Sequence, residues 1–148
     1  MATLKDQIQS DLRDAMRAKD DVRKSALRML TAAIKNAEIE ARGDLAEGDL
    51  LAVVQRQVKQ RRESIVEFSK AGRDDLVGRE EQELEAFAGY LPEEASRDEI
   101  VEAARAVVAE TSASGPRDIG KVMPVLVERF RGRADGRQIN EVVRELLS

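Results

Sequence analysis

The sequence predicts an all-α protein: an N-terminal four-helix domain followed by a small C-terminal three-helix bundle. Three observations lead there. Apolar residues recur every three to four positions in seven separate segments, which is the period of an amphipathic helix. No run shows the strict apolar–polar alternation of a half-buried strand. The breaks between segments carry the residues that start and stop helices, among them Thr3, Asp20, Ser96 and Asp135 at starts and Gly43, Gly72 and Gly132 at stops.

The first helix is expected over 3–19, with Thr3 and Asp6 as a capping pair and Leu4, Ile8, Leu12, Ala15 and Met16 on one face. Asp20 and Asp21 cap a second, carrying Val22, Ala26, Leu30, Ala33, Ile34 and Ala37, which stops near Gly43. A long third helix is expected over 46–71 and is broken by Gly72. A fourth runs over 74–90, and Pro92 ends it because the residue before a proline avoids the α region. Leu91-Pro92-Glu93-Glu94-Ala95 reads as a linker, which sets the domains at 1–91 and 96–148. Ser96-Arg97-Asp98-Glu99 has the form of a capping box and opens a fifth helix. Pro116 is placed to start a sixth, within which Pro124 should kink the backbone or mark a delayed start. Asp135 caps a seventh, with Ile139, Val142, Val143, Leu146 and Leu147 on its apolar face.

Of 148 residues 42% are apolar, enough for a core, while 36% are charged and only 3% aromatic. Such a core must therefore be built from aliphatic side chains inside a charged shell. No cysteine is present, the N-terminus has no apolar signal core, and no apolar run approaches the ~18–20 residues of a membrane span. These features point to a cytoplasmic protein without a membrane partner. Charge is segmented: residues 1–73 hold 15 basic and 12 acidic side chains, residues 74–114 hold 3 and 12, and residues 115–148 hold 7 and 5. An acidic middle lies between two mildly basic ends.

Catalytic chemistry is poorly provided for. Histidine and cysteine are both missing, and with them the usual general base, the thiol nucleophile and the commonest zinc ligands. No phosphate-binding glycine loop or nucleophile elbow occurs. Glu80, Glu81, Glu83 and Glu85 read as a solvated face rather than a metal site. No catalytic residue, metal or cofactor is assigned.

Two groups of charges stand out. In the third helix Leu51, Val54, Val58, Ile65 and Phe68 form a seam in steps of three and four, and the position missing from it is Arg61. If Gly72 reverses the chain, Arg61 meets Glu80 or Glu83 of the fourth helix. A structural ion pair fixing the hairpin register is expected there, with a polar ligand niche as the alternative. The second group is Lys121, Arg129, Arg131, Arg133 and Arg137, of which Arg129, Arg131 and Arg133 stand with Phe130 at the end of the sixth helix. Helix-dipole compensation and ordinary solubility are one reading of these cations, and a phosphate-contacting patch is the other.

Several short motifs occur in a fixed order: Leu27-Arg28-Met29-Leu30, Lys59-Gln60-Arg61-Arg62-Glu63-Ser64-Ile65, Gly72-Arg73-Asp74-Asp75-Leu76, Glu80 to Glu83, Tyr90-Leu91-Pro92 and Gly120-Lys121-Val122-Met123. Together they resemble the bacterial YqeY family over nearly the whole chain. From about Ser96 the chain is similar to the tail domain of the B subunit of glutamine-dependent aminoacyl-tRNA amidotransferase. That likeness rests on the helix pattern and the Gly120-Lys121 segment.

The resemblance implies a non-catalytic helical module that binds tRNA or a tRNA-processing complex through its tail, with Lys121, Arg129, Arg131, Arg133 and Arg137 as the RNA contacts. The amidotransferase itself, or a related protein, is the second partner it implies. Two alternatives stay open. One is a protein–protein adaptor that docks a basic partner through residues 74–114. The other is an accessory to a carbon–nitrogen ligase using glutamine as amide donor. Oligomeric state is not legible in the sequence.

Overall fold

The computed structural model describes residues 3–148. Among them seven α-helices run in the order α1 Leu4–Arg17, α2 Asp21–Ala41, α3 Glu47–Lys70, α4 Asp74–Ala88, α5 Arg97–Thr111, α6 Ile119–Arg129 and α7 Gly136–Leu147. A 3-10 turn, Pro116–Asp118, precedes α6. Among the described residues there is no strand, so the fold is all-α. The chain divides into two compact units, Met1–Leu91 and Pro92–Ser148.

The first unit contains α1 to α4. Thr3 and Asp6 make the reciprocal capping box, Asp6 N–H donating to Thr3 Oγ1 at 3.1 Å and Thr3 N–H to Asp6 Oδ2 at 3.3 Å. Its core gathers Ile8 from α1, Ala26, Leu30 and Ile34 from α2, Leu50, Val54 and Val58 from α3, and Phe87 from α4. All three fully buried residues of α3 lie in its first half, so the second half of the α3–α4 hairpin depends on other contacts. Gly72, at φ 71°, closes that hairpin. Arg73 N–H reaches Phe68 O at 2.9 Å and Gly72 N–H reaches Ser69 O at 3.2 Å, the paired bonds that terminate a helix on a left-handed residue.

The second unit contains α5 to α7 around a separate core of Ile100, Ala104, Val107, Val122, Leu126, Phe130, Ile139, Val142, Val143 and Leu147. Asp135 and Gln138 form a full capping box at α7. At α5 only half of the expected box is made. Ser96 Oγ accepts from Glu99 N–H at 3.1 Å, but the Glu99 carboxylate is held by Arg133 instead of turning back to the cap. Pro116 opens the 3-10 turn rather than the helix itself. Pro124 lies inside α6, where its missing N–H withdraws the helical donor from the Gly120 carbonyl.

Candidate nucleic-acid interface

In the α3–α4 hairpin Arg61 Nε lies 2.9 Å from Glu83 Oε2 and 3.5 Å from Glu80 Oε2. The three side chains are 12%, 7% and 20% exposed, which makes this a nearly buried charge cluster. The guanidinium carbon sits 5.4 Å from the centre of the Phe87 ring, and Nη2 lies 3.9 Å from Met29 Sδ. Arg79 adds a second cation, its Nε 3.7 Å from Glu83 Oε1. The contacts are ionic rather than well-aligned hydrogen bonds, since buried Arg61 Nε and Glu80 Oε2 lack directed partners. Burial raises the Glu80 carboxyl above its ordinary value, with the Glu83 charge adding to the rise and Arg61 and Arg79 opposing it. Glu81 and Glu85 point to solvent.

One polar contact of the first unit is barely signalled in the sequence. The Tyr90 hydroxyl donates to Asp11 Oδ2 at 2.6 Å, and Arg23 lies 3.9 Å from the other Asp11 oxygen. Burial first, and then the Asp11 bond, push the Tyr90 hydroxyl far above its usual value. This bond fastens the end of α4 to α1 across 79 positions of chain. The chain's single tyrosine, placed beside Pro92, is the only hint.

The five tail cations occupy different environments. Arg133 clamps its own unit: Nη2 lies 2.8 and 3.1 Å from the Glu99 oxygens, and Nε donates to Glu93 O at 3.0 Å. Its guanidinium also lies 6.0 Å from the centre of the Phe130 ring, and its carbonyl accepts from Ala95 N–H at 2.8 Å. Arg131 pairs with Glu128 at 2.8 Å. Lys121 lies 3.3 Å from Asp118 on an exposed face. The Asp118 carboxyl is held below its ordinary value first by the Ser114 N–H and then by Lys121. Arg129 and Arg137 are exposed, and neither forms an ion pair among the described residues.

The two differ in what explains them. Arg129 stands in the last turn of α6, where the helix dipole favours a cation. Arg137 stands in the first turn of α7, which holds no acidic residue and where the dipole disfavours positive charge. Helix stability therefore does not account for Arg137.

Folding also redistributes the charge. The acidic stretch 74–114 is divided at Leu91 between the units. The first unit carries 16 basic and 18 acidic side chains, and the second 9 and 11. Neither is strongly charged, so any electrostatic interface is local rather than a property of a whole domain.

A protein-family model described as Yqey-like protein matches residues 5–147. Among curated proteins, the chain is 43% identical over 112 residues to "Altered inheritance of mitochondria protein 41, mitochondrial" of Lachancea thermotolerans, covering 74% of this chain and 60% of that protein. It is 32% identical over 146 residues to the protein of the same name from Pyrenophora tritici-repentis, covering 95% and 78%. With that of Saccharomyces cerevisiae it shares 40% identity over 85 residues, covering 57% and 46%. The chain thus spans from about half to about four fifths of the length of these relatives.

These names overturn the cytoplasmic assignment, because the relatives are named as mitochondrial proteins. The features used for it do not discriminate. An apolar signal core marks secretion, whereas mitochondrial targeting segments are amphipathic and arginine-rich. Among the described residues no helix is long and apolar enough to cross a membrane.

Proposed function

The chain belongs to the YqeY-like family, and on that premise we propose that it is a non-catalytic helical module whose C-terminal unit contacts tRNA or a tRNA-processing complex. The observation that carries the reading is Arg137, an exposed cation without an ion-pair partner at a helix end that disfavours it. Exposed Arg129 stands eight positions earlier, just before the α6–α7 turn. Lys121, exposed and within reach of Asp118, can exchange that contact for phosphate at little cost, since exposed pairs are worth about 0–1 kcal/mol. Arg133 is left out, because engaging phosphate would release Glu99 and Glu93. The likeness of this unit to the amidotransferase tail supports the same reading and makes an amidotransferase-like protein the natural company for it. Any amide transfer would then be the chemistry of that partner.

An adaptor working through residues 74–114 has less support. The stretch is split between two units, and Asp75, Glu80, Glu83 and Glu99 already hold arginines.

Electrophoretic titration of tRNA over a salt series tests the proposal. Two to three phosphate contacts predict a log–log salt slope of about −2, at about 0.7–0.9 per contact. Replacing Arg129→Glu and Arg137→Glu together should abolish binding at low salt and leave helicity intact. Arg13→Glu, an exposed change in α1, should have no effect. Undiminished binding by the double variant contradicts the assignment.

A further inference from the structure

A groove of about 550 Å³ opens in the first unit between α1, the second half of α2 and the loop that follows it. Its volume falls within the ~300–1,000 Å³ typical of small-molecule sites. The floor is aliphatic: Ile8 and Ile34 are 1% and 2% exposed, and their core positions fix its shape. Ile39 on its wall is 65% exposed, the most exposed large apolar side chain among the described residues.

The charges around this floor do not balance. Two carboxylates line the groove, Glu38 and Asp44, and both act on Lys5. Lys5 Nζ lies 3.0 Å from both Glu38 oxygens, and the Lys5 amino group is raised by that hydrogen bond, with smaller help from Asp44. Lys35 and Arg42 also line the groove, are exposed, and have no ion-pair partner among the described residues. Arg42 occupies a left-handed backbone position, φ 59° and ψ 37°, where glycine is the favoured residue and Gly43 is the next in line. The helix dipole accounts for a cation at Arg42 but not for Lys35, two turns earlier over the same apolar floor.

We propose that this groove binds an organic anion with an aliphatic body, its single carboxylate or phosphate head held by Lys35 and Arg42 and its chain lying against exposed Ile39, above the floor that Ile8 and Ile34 shape. Burial of the chain supplies the affinity, and the two cations select the sign of the head. The site lies in the first unit and is independent of the RNA reading of the second.

The test uses anilinonaphthalene sulfonate, an aromatic anion that brightens in apolar sites, with the intact protein. The probe should bind saturably and be displaced by decanoate or decyl phosphate, but not by decyltrimethylammonium. Combining Lys35→Glu with Arg42→Gly should weaken decanoate binding by at least about tenfold, the loss expected when charge-assisted contacts go. Glycine suits the left-handed position, so this variant keeps the helix end, and unchanged circular dichroism checks it. Gln9→Trp, which fills the groove from an exposed position, should also abolish displacement. Equal displacement by the cationic amphiphile would reduce the groove to non-specific apolar adsorption and overturn the proposal. Unaltered binding in both variants would overturn it too, as would displacement by anionic phosphatidylglycerol vesicles but not by soluble decanoate.

Discussion

Arg61 stands where an aliphatic residue would complete the α3 seam, and removing it leaves Glu83 and Glu80 in a nearly dry hairpin with Arg79 only at longer range. Breaking a buried pair from one side costs about 3–5 kcal/mol. Arg61→Ala should therefore lower stability in urea by about 3 kcal/mol, the lower end, because the cluster retains some exposure. Arg62→Ala, one position on and exposed, should cost about 0–1 kcal/mol. Equal small losses would show that the cluster is solvated. Glu80 adds a pH signature. Its folded carboxyl titrates above its ordinary value, so the folded state holds the extra proton and stability gains as pH falls from neutral towards the ordinary carboxylate range. The stability of the native protein relative to Glu80→Gln should thus rise on acidification across that window, as read in urea melts at stepped pH. The Arg61 anomaly is legible in the sequence because a charge interrupts a periodic apolar pattern. The Tyr90–Asp11 and Arg133–Glu99 contacts are not, because they join residues 79 and 34 positions apart and nothing local marks them. Tyr90→Phe should cost about 1.5–3 kcal/mol through loss of a hydrogen bond to a charged acceptor.

The helices end by a shared device. α1, α2, α3 and α5 each stop with two backbone bonds closed over a residue at positive φ. For α3 that residue is Gly72, whereas for α1, α2 and α5 it is Lys19, Arg42 and Ser112. This is why helix starts are more legible in the sequence than stops. Thr3, Asp20, Ser96 and Asp135 cap through side chains whose chemistry the sequence displays. A left-handed stop made by a lysine, arginine or serine has no compositional mark, so Gly43 attracts the assignment that belongs to Arg42. A non-glycine residue in this region costs roughly 1–2 kcal/mol, partly offset by the greater freedom glycine gives the unfolded chain. Lys19→Gly and Ser112→Gly should each raise stability by about 0.5–1 kcal/mol in thermal melts, and a loss would show that their side chains contribute contacts that outweigh the strain.

At the scale of the whole molecule, two small aliphatic cores are joined through a short exposed run, Pro92, Glu93 and Glu94, after which Ala95 is already buried in the second core. Arg133 holds the start of that unit by gripping the Glu93 carbonyl and the Glu99 carboxylate. Arg133→Ala should therefore speed cleavage after Glu93 and Glu94 by a glutamate-specific protease without slowing refolding of the first unit. The all-α class was legible from periodicity alone. The distribution of tail cations was not, because a run of arginines does not reveal which of them is matched by a carboxylate on another helix. Nor does the acidic run reveal that folding divides it between units. The proposed RNA contacts are consequently Arg129 and Arg137 with Lys121 beside them, while Arg133 is structural. Titrating the isotope-labelled intact protein with unmodified tRNA at low salt, and following backbone amide shifts, tests this most directly. Changes should concentrate around Ile119 to Lys121 and around the α6–α7 turn from Arg129 to Arg137, with the α1–α4 amides unmoved. Shifts centred on α3 and α4, or none at all at low salt, would contradict it.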